Sequence, residues 1–337
     1  MKKQFLHKNN YSFFKKFFIK ISRKIGFEII DQSKFFVPTA KLKLNKNLSI
    51  FNKKNITFPL GEIKITRKIE SLLVIFRSFT NEDKLLSQNK KRIFEKNKKE
   101  YTFKSLNSLC MSIKDCQKKI PNIEFFLKII DDNSCSKVVK NLKKITKKYK
   151  IKNEITFLNI DKYASKMKFS NNKRMLAHNA HIFDSKLYAK NSNFDLIFFV
   201  EDDYLHQKDT ISEMLYTYQK LSSVIGEDVI LCPADYPYLY NKLENTIILA
   251  GQDRHWRNIK ESLCTYLISK KILIKNWKDY KMMMTNNFNP YEKPLHKIYK
   301  KVNCFSPIPS LAIHMTNVNS IYGISPFCNT LQLWNNS

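Results

Sequence analysis

Between residue 70 and about residue 225 the chain alternates two kinds of segment. Short apolar runs at Ser71 to Phe79, Ile123 to Asp131, Ile155 to Asn159 and Asp195 to Val200 are β-branched and aromatic without polar alternation. Strands buried on both faces of a parallel sheet read this way. Longer segments at about 100 to 117, after Ser134, at Lys173 to Lys190 and at about 209 to 223 have helical length and spacing. This β-α-β-α-β-α-β order predicts an α/β fold with right-handed crossovers and a ligand crevice at the carboxyl edge of the sheet. Thr210-Ile-Ser-Glu213 predicts a capping box that opens the helix after the fourth strand. Beyond it the pattern loosens into short strands at Asp228 to Cys232, Thr246 to Ala250 and Leu263 to Ser269, with loops rich in Tyr, Pro and Trp.

The first 69 residues differ. Residues 13, 14, 17, 18, 21 and 25 are apolar at helical spacing, and Lys15, Lys16, Lys20, Arg23 and Lys24 fill the gaps, which predicts a basic amphipathic helix. An anionic membrane surface is one partner such a helix fits; packing on the body is the other. Residues 31 to 69 have no period and predict a loosely structured lead-in. The expected organisation is a basic N-terminal extension over 1–69 and one large domain over 70–337.

Composition narrows the function classes. Lys+Arg 60 against Asp+Glu 29 gives a net charge of +31, which favours anionic partners. The basic residues are dispersed along the chain, whereas a nucleic-acid binder clusters them with stacking aromatics on one face, so nucleic acid is not the expected partner. With only five Gly there is neither GxGxxG nor a P-loop, which excludes dinucleotide oxidoreductases and P-loop kinases. The seven Cys form no CxxC pair, so a reducing, cytoplasmic setting is expected, with the inner face of the membrane as a peripheral site. No run of ~18 apolar residues predicts a membrane span, and the N-terminus is too interrupted by Lys to be a secretory signal.

Candidate chemistry gathers at the strand ends. The second strand runs into Asp131-Asp132-Asn133-Ser134 and the fourth into Glu201-Asp202-Asp203. Adjacent carboxylates repel, and a divalent cation relieves that repulsion; the alternative is a solvated acidic turn. Arg254-His255-Trp256-Arg257 sets two guanidiniums around a ring in a predicted loop, which suits a phosphate or a sugar face, or else is a surface loop pinned by a buried Trp. Lys173 and Arg174 begin the helix before the fourth strand and are either a candidate nucleotide contact or an ordinary basic pair of a Lys-rich chain, and Asp235-Tyr-Pro-Tyr238 is a candidate acceptor border.

A sheet whose second strand ends in Ile130-Asp-Asp-Asn-Ser134 and whose fourth ends in Val200-Glu-Asp-Asp203 resembles the GT-A fold glycosyltransferases, particularly the family-2-like enzymes, with a Glu-Asp-Asp variant of the DxD motif. The resemblance spans about residues 70 to 315. It implies a Rossmann-like, mixed but mainly parallel sheet flanked by helices, and transfer of a sugar from a UDP- or GDP-sugar to a saccharide or cell-surface glycan, with inversion. It implies that Arg77 or Ser78, together with Asp132, holds the base, that Asp202 faces the ribose and that Asp203 binds the cation. Further on, Tyr291-Glu292 and the run Pro307 to Met315 fall where the family has its catalytic acid and a closing His, implying Glu292 as base and His314 as second metal ligand. The family pattern is Glu-Asp where this chain has Tyr291-Glu292, so Asp253 and Glu261 stay open as alternative bases. Oxygen ligands suit Mg²⁺ and Mn²⁺ alike, and one imidazole tilts the choice toward Mn²⁺. A nucleotidyltransferase on a similar sheet is the enzymatic alternative, but it favours a Gly-rich loop after the first strand. A basic nucleic-acid-binding protein is the non-enzymatic one.

Overall fold

The computed structural model describes residues 12–27, 29, 49–57, 61–81, 92–167, 173–241, 244–285, 288, 290–316 and 320–337. Helix α1 (Phe13–Lys24) is the expected basic helix, capped by Ser12, whose hydroxyl accepts from the Lys15 amide at 3.4 Å. An antiparallel hairpin follows, β1 (Lys54–Thr57) with β2 (Gly61–Lys64). The pattern of residues 31 to 69 did not predict it, because Lys-Asn-Ile-Thr has no apolar alternation to mark a strand.

The body then alternates as expected through β3 (Ser71–Ser78), α2 (Lys98–Lys119), β4 (Glu124–Asp131), α3 (Ser136–Tyr149), β5 (Asn153–Phe157), a single turn α4 (Asp161–Ala164), α5 (Lys173–Asn191) and β6 (Leu196–Glu201). These four strands are parallel in the order β5-β4-β3-β6. The third begins two residues earlier than the apolar run at Ile155 suggests. All eight residues of β3 are buried, which is why its run shows no alternation. Leu73 and Ile75 face one core with Ile197, Phe199 and the inner face of α5; Leu72, Val74 and Phe76 face the other with Phe198, α2 and α3. Each such side chain contributes about 1.5–3 kcal/mol of transfer free energy.

The second half adds β7 (Tyr204–His206), α6 (Thr210–Ile225), β8 (Ile230–Leu231), β9 (Ile248–Ala250), β10 (His255–Ile259), β11 (Tyr266–Ser269), α7 (Lys270–Lys275), α8 (Trp277–Thr285), α9 (Lys293–Tyr299), β12 (Cys304–Ile308), β13 (Ala312–His314) and α10 (Thr330–Asn336). The main sheet has nine strands in the order β5-β4-β3-β6-β11-β8-β12-β10-β9, and β11 and β10 run against the rest. It is therefore a mixed, mainly parallel sheet with helices on both faces, the α/β class the pattern predicts.

Three local expectations are corrected. His255 to Ile259 is a strand, not a loop: its polar sequence gives no strand signal, and pairing with β9 and β12 decides its state. The capping box does not form. Asp209 occupies the cap position without a side-chain cap bond, Thr210 donates to the carbonyls of Gln207 and Leu311, both at 2.7 Å, and Glu213 turns to the 251–253 loop instead. The run from Pro307 to Met315 is two strands, because the chain leaves the main sheet after β12 and pairs with β7. The boundary expected at residue 70 also falls inside packed chain. Ile65 and Ile69 are buried, Arg67 pairs with Asp228, and the amides of Thr66 and Arg67 donate to the Ser223 hydroxyl at 2.9 and 3.1 Å.

Candidate active site

Because β3 lies between β4 and β6, the three parallel strands end side by side at one carboxyl edge, where open α/β sheets bind ligands. The loops after β3, β4 and β6 line it, and they carry the predicted acids. β7 and β13 then bring distant chain to the same edge. Their antiparallel register sets His314 opposite Tyr204, and the Met315 amide donates to the Asp203 carbonyl at 2.7 Å. His314 Nε2 thereby lies 3.5 Å from Asp203 Oδ1. The imidazole stacks on the Tyr204 ring, centroids 4.7 Å apart, and its Nδ1 lies 3.1 Å from the Tyr322 carbonyl. A carbonyl only accepts, so Nδ1 carries a proton, and Nε2 faces Asp203 as an N–H donor in the protonated ring and as a lone pair open to a cation in the neutral one.

The three acids after β6 do different work. Glu201 pairs with Arg77 at 2.9 Å; burial pushes its carboxyl up while the guanidinium pulls against that. Asp202 accepts from the Phe79 amide at 2.8 Å and Thr102 Oγ1 at 2.9 Å, and it contacts the Lys98 ammonium. Asp203 meets His314, Lys98 Nζ at 3.5 Å and Arg92 Nη2 at 3.3 Å. Burial pushes its carboxyl up, but Lys98, His314 and Arg92 outweigh burial and hold it well below the usual carboxylate range. Asp203 is the acid of the three that faces an imidazole across a gap.

The acids after β4 divide likewise. Asp131 accepts from Ser78 Oγ at 2.6 Å and the Ser134 amide at 2.7 Å, closing the turn in which Asn133 is left-handed with φ 52°. Asp132 Oδ1 has a 3.5 Å approach from the Asn133 side-chain Nδ2, and burial pushes its carboxyl up. Glu292 stands at the start of α9 and is 5% exposed. Burial pushes its carboxyl up to about 7; Glu201 reinforces the shift and His314 opposes it. Among the alternative bases, Asp253 is exposed and Glu261 half-buried.

Other expected site residues are engaged within the protein. Arg77 donates to Glu201 and the Ser78 hydroxyl to Asp131, so each residue expected at the base is first anchored within the protein. Asp202, expected at the ribose, is satisfied by Phe79, Thr102 and Lys98. Trp256 is fully buried with its indole N–H on Glu213 at 3.0 Å. Arg257 pairs with buried Asp235 and covers the Tyr240 ring at 4.3 Å; Arg254 is held by Asp209 at 2.7 Å, Gln207 at 3.0 Å and the Pro309 carbonyl at 3.1 Å. The expected platform of an exposed ring between two guanidiniums is therefore absent, because strand pairing turns Trp256 into the core. Arg174 begins α5, and its side chain lies outside the described residues.

Pattern alone missed Arg92, Lys98 and Thr102. Lys98 and Thr102 are one turn apart on α2 and meet the acids together. Among 60 Lys and Arg, no sequence signal separates those two cations from the rest.

Among the described residues no three His, Cys, Asp or Glu side chains gather to hold a metal by themselves. Asp203 and His314 nevertheless form a carboxylate–imidazole pair at 3.5 Å, with the second ring nitrogen oriented by a carbonyl. That donor set fits a divalent cation that takes its remaining ligands from outside the chain.

No protein-family model and no curated protein matches the chain. Among solved structures it is similar to S. aureus TarS, at 14% identity over 70% of this chain and 36% of that one, with a TM-score of 0.40. It is similar to GalNAc-T7 with UDP, GalNAc and Mn²⁺, at 10% identity over 74% and 44%, TM-score 0.41. It is also similar to the galactosyltransferase LgtC in complex with donor and acceptor sugar analogues, at 10% identity over 66% and 70%, TM-score 0.34. The chain spans about a third of the length of TarS and under half of GalNAc-T7. Likeness this loose says nothing about substrate.

Proposed function

We propose that the chain is a GT-A-type glycosyltransferase that moves a sugar from a UDP- or GDP-sugar to the hydroxyl of a saccharide or cell-surface glycan, with inversion at the anomeric carbon. The observation that carries this reading is Asp203 facing His314 at 3.5 Å beside Lys98 and Arg92, with a buried Glu292 whose acidity both Glu201 and His314 influence and whose carboxyl is pushed up to about 7. A carboxylate beside an imidazole nitrogen suits a cation and its phosphates; a carboxylate poised near neutrality suits a general base.

When bound on Asp203 and His314, Mn²⁺ or Mg²⁺ supplies Lewis-acid neutralisation of the leaving diphosphate. The chain's own groups do the rest. Lys98 and Arg92, both buried beside Asp203, add positive potential where the diphosphate charge develops. Asp132 accepts hydrogen bonds from the nucleoside at the crevice wall. Glu292 takes the proton of the acceptor hydroxyl as that oxygen attacks the anomeric carbon, and the oxygen displaces the diphosphate from the opposite face. Burial matters for this step, since a carboxylate with an ordinary acidity is a weak base at neutral pH. Seven free thiols suit work in the reducing cytoplasm.

Calorimetric titration of UDP and GDP, with and without Mn²⁺, tests the reading. The expected outcome is binding of one nucleotide that requires Mn²⁺ and weakens at least about tenfold in Asp203→Asn, the equivalent of ~1.4 kcal/mol. Absence of binding by either nucleotide in both conditions would remove the donor site and the proposal with it.

A further inference from the structure

Helix α1 exposes the apolar side chains that the rest of the chain buries. Phe13, Phe14, Phe17 and Phe18 are 77, 80, 56 and 62% exposed, and Ile21 and Ile25 are 42 and 67% exposed. At 3.6 residues per turn these six fall on one arc of the helix. Lys15, Lys16, Lys20 and Arg23 occupy the rest of the circumference, Lys24 stands within the arc, and the helix contains no acid. Ile19 is half-buried and Ser22 buried, and both lie off the phenylalanine arc. The helix thus turns its rings outward, where leaving them in water costs free energy.

We infer that α1 docks on the surface of an anionic bilayer, with its phenylalanine rings at the boundary of headgroups and acyl chains and its Lys and Arg among the lipid phosphates. Charge complementarity selects this occupant. A second copy of α1 packed ring to ring would bring two acid-free basic helices together, and like charges would oppose the contact. A nucleic acid would take the basic residues and leave the rings in water. A bilayer interface satisfies both parts of the helix at once. At 12 residues α1 is about 18 Å long, too short to cross a bilayer, and no helix among the described residues is long and apolar enough to cross. The inference is independent of the glycosyl-transfer reading, because α1 contributes no residue to the acidic site.

Co-sedimentation of the full chain with vesicles tests it, comparing phosphatidylglycerol mixed into phosphatidylcholine with phosphatidylcholine alone. Two variants accompany the wild type: Phe14→Ser with Phe17→Ser and Phe18→Ser, and Lys15→Gln with Lys16→Gln and Lys20→Gln. All six positions are exposed, so thermal melting should be unchanged and serves as the folding control. Expected are binding to the anionic vesicles, weakening of at least about tenfold in each variant, and reduced salt sensitivity in the Lys→Gln variant. If the Phe→Ser variant binds as tightly as wild type, the attraction comes from general positive charge and the inference fails. It fails too if wild type ignores anionic vesicles, or if sedimentation reveals a dimer that the Phe→Ser variant dissolves.

Discussion

Glu292 is one of several carboxylates of the chain whose acidity burial weakens. Its carboxyl rises from an ordinary 4.5 to about 7, so the folded protein holds that proton more tightly than the unfolded chain does. The group's contribution to stability is therefore present below about pH 4.5 and is lost as pH rises through 7. Two measurements follow from the same shift. For wild type, kcat/KM with the donor and acceptor is expected to climb through about pH 7, and Glu292→Gln should lose about 10²–10⁴-fold. Urea unfolding should find Glu292→Gln stabilised relative to wild type at pH 8 by up to about 3 kcal/mol, with no such gain at pH 4.5. An inactive variant with a pH-independent stability difference would mean that Glu292 is not held protonated by burial. Gly251 is set by a different constraint: a Cβ there would stand 2.4 Å from Trp256 Cδ1 and 2.6 Å from Thr217 Oγ1. Gly251→Ala is expected to cost about 1–3 kcal/mol by overpacking, read from the shift in urea midpoint at unchanged slope.

Helix α2 shows how one element prepares the site. Its first turn aims Lys98 and Thr102 at Asp202 while Lys98 also reaches Asp203, so the helix holds two adjacent buried acids that would otherwise repel. Removing that ammonium leaves buried charge short of a counter-ion, and Lys98→Met is expected to destabilise the protein by about 3–5 kcal/mol. Mn²⁺ should recover part of the loss in Lys98→Met, since a cation held by Asp203 and His314 would replace the missing charge, and none of it in Lys98→Met/Asp203→Asn. Thermal melting with and without the metal reads the difference. The β7–β13 pair acts similarly at the backbone level: because side chains alternate along a strand, a shift of one residue in its register would turn His314 away from Asp203.

At the scale of the whole molecule, the packed body reaches back past residue 70. Thr66, Arg67 and Ile69 are tied to α6 and the 228 loop, whereas α1 contributes nothing to either main core. A chain beginning at residue 49 is expected to melt within a few degrees of the full chain, and one beginning at residue 70 to melt several degrees lower. The α/β class, the parallel order of the first four strands and the position of the acids at the sheet edge were legible in the sequence. A strand buried on both faces must be apolar throughout, and an acid run directly after it must lie at its end. The amphipathic character of residues 13 to 25 was equally legible, being a property of spacing alone. What pattern could not carry was every feature that depends on a partner far along the chain. β10 is a strand through its neighbours and not its own residues, and that pairing buries Trp256 and corrects its expected role. Arg77, Ser78 and Asp202 are drawn into bonds that only the packed sheet supplies. Lys98 looks like any other lysine until α2 lays it against Asp202. Acidity at Asp203 and Glu292 was decided last, by tertiary structure alone, because it follows from which charges stand nearby and how much water is excluded, and neither is a property of sequence position.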